Sequence, residues 1–108
     1  MRILFDQGTP EPLRRALGTH SISTTYEMGW MELSNGELLR AAEDNFDALV
    51  TTDKNLRFQQ DLTRFRLAVL VLPTTSWPKL RPHAAQIAAA VDMLAPGEMK
   101  IFRLPDSL

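Results

Sequence analysis

The chain has no cysteine. Disulfides, thiolate zinc sites and cysteine nucleophiles are therefore excluded. Its two histidines, His20 and His83, are not spaced to ligate a metal from one helix face. No Gly-rich phosphate loop occurs, which argues against a nucleotide-binding enzyme. No segment approaches about 18 uninterrupted apolar residues, so nothing reads as a membrane span. An excess of one charge is also missing. The net charge of -1 argues against a polyanion binder that uses its whole surface, although a local basic patch stays open. The first residues, Met1-Arg2-Ile3-Leu4-Phe5-Asp6, are charged too soon for a signal peptide, so the cytoplasm is the expected location.

What is present is an ordinary globular composition. With 108 residues, 44% of them hydrophobic, the chain suits one domain with a real core, spanning 1–108. The stretch Ala48-Leu49-Val50-Thr51-Thr52-Asp53 stands out. It is short, β-branched at its end and without alternation, as a strand buried on both faces reads. Asp53 then falls where the strand stops. Asp6 has the same context after Ile3-Leu4-Phe5.

In chain order, Arg2 to Asp6 reads as a buried first strand. Thr9-Pro10-Glu11-Pro12 reads as a helix start, with Thr9 as N-cap and Pro10 at the first helical position. Leu13, Ala16 and Leu17 supply its apolar stripe, and Gly18 ends it. His20 to Glu27 alternates, which predicts a half-wet or edge strand. Trp30 is expected to anchor the following loop. Ser34 and Glu37 form a capping box for a helix reaching about Asn45. After the 48–52 strand, a short polar helix over 54–62 is expected to be anchored by Leu56 and Leu62. Leu67 to Leu72 is the most hydrophobic run and reads as a central strand. Residues 73–78 read as a loop. Pro82 starts the last helix, with Ala85, Ile87, Ala88, Val91 and Leu94 spaced for burial. Pro96-Gly97 stops it, and Met99 to Leu104 is a last strand.

Strands and helices thus alternate along the whole chain. The expected fold is α/β: three layers, α/β/α, around a mainly parallel sheet of about five strands. In such a sheet the carboxyl ends of all strands lie on one edge. Asp6 and Asp53 end two strands there, and Glu37 opens a helix that leads into a strand, so all three are expected to converge. Two carboxylates ~5 Å apart repel by roughly 3 kcal/mol at an effective dielectric of about 20. A hard divalent cation relieves that repulsion, and Mg²⁺ or Mn²⁺ takes oxygen ligands with waters. Such a site hydrolyses phosphodiesters. Each acid also has a purely structural reading: Glu37 in its capping box, Asp53 as a cap, Asp6 in an Asx turn before Gly8. Lys54, Arg57 and Arg81, with Arg64, Arg66 and Lys79, are basic residues near the expected rim. They could meet RNA phosphates while Phe58 or Trp77 stacks a base.

Several of these segments resemble the small bacterial PIN-like domain proteins, a domain-of-unknown-function branch of the PIN nuclease superfamily. They are Ile3-Leu4-Phe5-Asp6-Gln7-Gly8-Thr9-Pro10, Tyr26-Glu27-Met28-Gly29-Trp30, Asn35-Gly36-Glu37-Leu38-Leu39 and Leu49-Val50-Thr51-Thr52-Asp53-Lys54-Asn55-Leu56. The resemblance fades after Leu72. It implies a PIN-like fold with an acidic centre of Asp6, Glu37 and Asp53 that binds Mg²⁺ or Mn²⁺ and cleaves RNA. It also implies an antitoxin protein as partner, since many PIN proteins are toxins; a homodimer is left open. The chain departs from the family at Gln7, where related sequences often carry an acid, and at Asn35, where they carry aspartate. At 74–76 the larger PIN nucleases place a further acidic residue, and here stand Thr74, Thr75 and Ser76. Those departures favour the alternative of a catalytically weak or inactive interaction module. A phosphoacceptor receiver domain fits less well. It needs an acidic pair after the first strand and a lysine at the end of a late one, and here Gln7 follows Asp6 and Lys100 starts its strand.

Overall fold

Three strand segments carry apolar residues on both faces, and that pattern builds the molecule. The computed structural model describes residues 1–56 and 61–105. Its strands are β1 (Arg2–Phe5), β2 (Ser21–Thr24), β3 (Ala48–Thr51), β4 (Ala68–Val71) and β5 (Met99–Ile101). They form one five-stranded sheet in the order β2-β1-β3-β4-β5, with every pairing parallel. The expected α/β architecture is therefore the observed one. β3 is the middle strand, and all four of its residues are buried. β2 lies at one edge, as its alternating pattern suggested.

The two-residue period of the strands sorts the core into two halves. Ile3, Phe5, Ala48, Val50, Ala68 and Leu70 point to one face. There they meet Leu13 of α1 (Leu13–Ala16), and Ile87 and Val91 of a later helix, Ala84–Asp92. Leu4, Leu49, Val69 and Val71 point to the other face. They meet Leu38, Leu39 and Ala42 of α3 (Asn35–Asn45), together with Leu56 and Leu62. Helices thus cover both sides of the sheet. Among the described residues no helix is long and apolar enough to cross a membrane.

The α3 start follows its local signals. Ser34 Oγ accepts from the Glu37 N–H at 3.3 Å, and Glu37 Oε1 accepts from the Ser34 N–H at 3.0 Å. Both partners of the capping box are therefore engaged. Trp30 meets Phe46 edge-on, with ring centroids 6.0 Å apart. This is the loop anchor expected of Trp30, and it closes the far end of the second core half.

Several expectations are corrected. The first helix begins at Leu13, not Pro10, and Thr9 does not cap it. Thr9 Oγ1 donates instead to the Val50 carbonyl at 3.0 Å. Tight turns close residues 10–14, with Leu13 N–H reaching Pro10 and Arg14 N–H reaching Glu11. The 20–27 strand stops at Thr24, because Thr24 and Glu27 form a second capping box. That box opens α2 (Thr25–Met28), and Gly29 closes it at φ 74°. Residues 77–80, of which Trp77 and Pro78 were expected in a loop, form α4 (Trp77–Leu80), since Pro78 in a first turn needs no N–H partner. A 3₁₀ turn at Arg81–His83 then leads into α5 (Ala84–Asp92), in which Ala85 is exposed rather than buried. The last strand is shorter than expected, ending at Ile101. The helix expected over 54–62 falls partly outside the described residues, but its two anchors, Leu56 and Leu62, are buried.

Candidate functional site

The chain runs from β1 out to β2 and then crosses back to β3 on the other side of β1. Strand order reverses between β1 and β3. In open α/β sheets the crevice outside the carboxyl ends at that reversal is where ligands bind. Phe5 pairs with Val50, so Asp6 comes level with Thr51. The ladder runs one step further, with Asp6 N–H donating to the Val50 carbonyl at 2.9 Å. Asp53 follows two residues beyond on the neighbouring strand. The register, rather than any flexible loop, brings the two aspartates to one place.

Thr51 joins them. It is fully buried. Its Oγ1 donates to Asp6 Oδ2 at 2.9 Å and accepts from the Asp53 N–H at 3.1 Å. Asp6 Oδ1 accepts from the Gln7 N–H at 2.8 Å. Asp53 Oδ1 accepts from the Asn55 N–H at 2.9 Å, and Asn35 Nδ2 stands 3.5 Å from Asp53 Oδ2. A cavity of about 270 Å³ opens over this arrangement. Asp6, Asp53, Asn35, Thr25 and Trp30 are among its walls.

Burial pushes the Asp6 carboxyl above its usual range. The bonds from Thr51 and Gln7 pull it back down, and the charge of Asp53 adds to the rise. The Asp6 anion is thus held in a place that penalises it, beside a second carboxylate. Thr51→Val is expected to lower stability by about 1–2 kcal/mol, because it removes a bond to a charged group and orphans the Asp53 N–H. It should also raise the Asp6 carboxyl further. Urea unfolding measures the first effect; an unchanged midpoint would mean that the buried hydroxyl contributes nothing.

Glu37 is placed differently. It is exposed, and it does not line this cavity. The capping-box bonds to Ser34 hold its carboxyl below the usual range. The residues of that helix turn that do line the cavity are Asn35 and Leu38, and Asn35 is the polar one. Among the described residues, no group of three or more acidic or histidine side chains is arranged to hold a metal ion. What the site offers is two carboxylates, with the Asn35 amide and threonine hydroxyls nearby. All are hard oxygen donors, the set that suits Mg²⁺ or Mn²⁺ with several retained waters.

None of the described basic residues lines the cavity. Lys54 is exposed one residue beyond Asp53, and it borders a separate hollow with Pro73 and Arg103. Arg81 borders a groove with Arg15 and Trp77 on the α1 side of the sheet. Trp77 packs on that core half, which leaves it partly buried. Arg57 and Phe58 lie outside the described residues. A larger hollow of about 550 Å³ sits at the opposite, amino ends of the strands. Two of its three carboxylates already serve the backbone: Asp47 accepts from the Arg2 N–H at 2.8 Å and Glu43 from the Arg66 N–H at 2.7 Å.

The sequence reading missed Thr51. Thr51 had a signal in retrospect: a hydroxyl at the end of a strand buried on both faces needs a partner. No protein-family model, curated protein or solved structure matches the chain.

Proposed function

We propose that this protein is a metal-dependent endoribonuclease of the PIN-like type, acting in the cytoplasm on single-stranded RNA. The observation that carries this reading is the Asp6–Thr51–Asp53 arrangement, on one cavity, where the strand order reverses. Asp6 and Asp53 would hold Mg²⁺ or Mn²⁺, which would offset the penalty of setting two carboxylates side by side. When bound, the ion stabilises charge on the phosphodiester and lowers the pKa of water. The protein's own share is to fix both aspartates through Thr51 and to present the Asn35 amide to the same space. Glu37, engaged in its cap, acts on the site only through the position of α3 and Asn35. Lys54 and Arg81, with Arg57, meet phosphates outside the cavity. The PIN-like resemblance adds an antitoxin protein as the partner.

A second reading is favoured by one specific observation. Among the described residues only two carboxylates line the cavity, and the third candidate serves a helix cap. On that reading the protein is an interaction module in which the ion, if taken up, is structural.

The assay that decides between them is cleavage of a mixed single-stranded RNA by the purified protein with Mn²⁺, Mg²⁺ or chelator. The nuclease reading expects cleavage that needs an ion on the order of millimolar, since a site this poor in charge binds weakly. Mn²⁺ should outperform Mg²⁺, because it stands higher in affinity for the same donors. Rising salt should weaken RNA binding through the lost phosphate contacts. No cleavage with either ion would favour the interaction module; ion-independent cleavage would contradict the metal-dependent reading.

A further inference from the structure

Tyr26 is the chain's single tyrosine. It is 79% exposed. One exposed aromatic ring is common on a protein surface. Its placement is less so. Tyr26 borders a hollow of about 410 Å³ that also takes in Asp6, Gln7, Thr25 and Met31. Those same four residues line the acidic cavity. The two spaces therefore share walls, with Asp53 lining one and Tyr26 the other. Met31, 41% exposed, lies in the shared stretch.

The ring is also held by a stiff support. Its helix, α2, is only one turn long, but both ends are fixed. Thr24 and Glu27 close the capping box, and the Trp30 N–H reaches back to the Thr25 carbonyl at 2.9 Å. Arg14 ties Glu27 to the rest of the domain and also donates to the Ile22 carbonyl at 3.1 Å. The backbone that carries the ring is therefore held in place, so little main-chain freedom is left to lose on binding.

The charges of the hollow indicate what that face meets. Arg14 is its cation, and it already pairs with both Glu11 and Glu27. Among the described residues, no cation in this stretch is left to attract a phosphate. An exposed aromatic face without free positive charge suits a nucleobase rather than a backbone.

We propose that Tyr26 is a stacking platform for the nucleobase next to the scissile phosphate of a single-stranded RNA, reached along the trough that starts at Asp6 and Asp53. This rests on the nuclease reading above. Every base has a π face, so the contact is tolerant of sequence and sets strand placement rather than base identity. Met31 fills the turn between the platform and the carboxylates. The sequence reading looked for stacking at Phe58, which lies outside the described residues, or at Trp77; Tyr26 is a further platform beside the acidic cavity.

The test is fluorescence anisotropy with a short fluorescein-labelled oligouridylate, in chelator, on the full chain carrying Asp53→Asn. That background retains an oxygen at the position and allows binding to be read without cleavage. Adding Tyr26→Ala is expected to weaken binding by about tenfold, within the range seen for loss of one stacked base. Adding Tyr26→Phe should leave affinity within about twofold, because the ring face remains. The salt dependence should keep the same slope in all three, since no phosphate contact is lost. Melting temperatures should agree, as the ring is exposed. Equal affinity for Tyr26→Ala and its parent overturns the platform and leaves the nuclease reading standing, because the parent still binds RNA. A change of slope with Tyr26→Ala also overturns it, as the contact would then be ionic. No RNA binding by the parent or by the unmodified chain overturns the platform and the RNA reading together.

Discussion

Asp6→Asn is expected to abolish metal-dependent RNA cleavage, by at least about a hundredfold, while making the metal-free protein more stable at neutral pH. The first effect follows from the loss of one of two carboxylates that could hold the ion. The second follows from the penalty on the native anion. Burial, aided by the charge of Asp53, raises the Asp6 carboxyl above its value in the unfolded chain. The native state therefore holds this proton more tightly than the unfolded state does. Its stabilising effect is complete below the unfolded value and is lost as pH rises through the raised native value. At neutral pH the wild type carries the full penalty and the variant carries none. Below about pH 4 the wild-type carboxyl is itself protonated, and the advantage of the variant should shrink. The introduced asparagine can also keep one of the two bonds, accepting from the Gln7 N–H. Thermal melts in chelator at both pH values, beside initial cleavage rates, check this. An Asp6→Asn protein that melts lower than wild type at neutral pH would show that the Thr51 and Gln7 bonds outweigh the burial.

Gly8→Ala is the second large effect, and it is structural. Gly8 lies just past Asp6 and Gln7 in the turn out of β1, at φ +94°. An L-residue in the left-handed region is disfavoured by roughly 1–2 kcal/mol. A Cβ here would also lie 2.8 Å from Thr52 Oγ1. That contact is too close, so the Thr52 side chain or the turn must shift. Overpacking of this kind adds about 1–2 kcal/mol. The sum is a loss of about 2–4 kcal/mol, readable as a lower denaturation midpoint. Cleavage should fall as well, because the loops after β1 and β3 touch at this point. A midpoint within about 0.5 kcal/mol of wild type would show that the turn adapts freely.

Much of the fold was legible because its signals are local. β3 and β4 are short apolar runs without alternation, and both are buried on two faces. The Ser34 box has both of its partners, Ser34 and Glu37, within one turn of chain. The start of α1 was not legible in the same way. Thr9 is a good cap in isolation, but the Val50 carbonyl, 41 residues away, takes its hydroxyl. The helix at Thr25–Met28 was hidden for a related reason. Its residues alternate as a strand does, while Glu27 and Gly29 work against a strand only once Thr24 is in place.

The candidate site divides along the same line. That Asp6 and Asp53 meet could be read from strand order alone, since parallel strands share a carboxyl edge. That Thr51 links them depends on the Phe5–Val50 register, which no residue announces. Glu37 carried two readings at once, a capping box and a metal ligand. The cap is local and is satisfied; the cavity receives Asn35 in its place. Tyr26 read only as part of an alternating stretch, because its neighbours in space, Asp6 and Gln7, are far from it in sequence.

Whether Asp6 and Asp53 hold a divalent cation together is the point on which the nuclease reading stands. Isothermal calorimetry with Mn²⁺ on the wild type, Asp6→Asn and Asp53→Asn measures this without any assumption about substrate. The expected result is one saturable site in the wild type, with a dissociation constant on the order of millimolar, and its loss in both variants. No saturable binding by the wild type, or binding that survives in both variants, would contradict it.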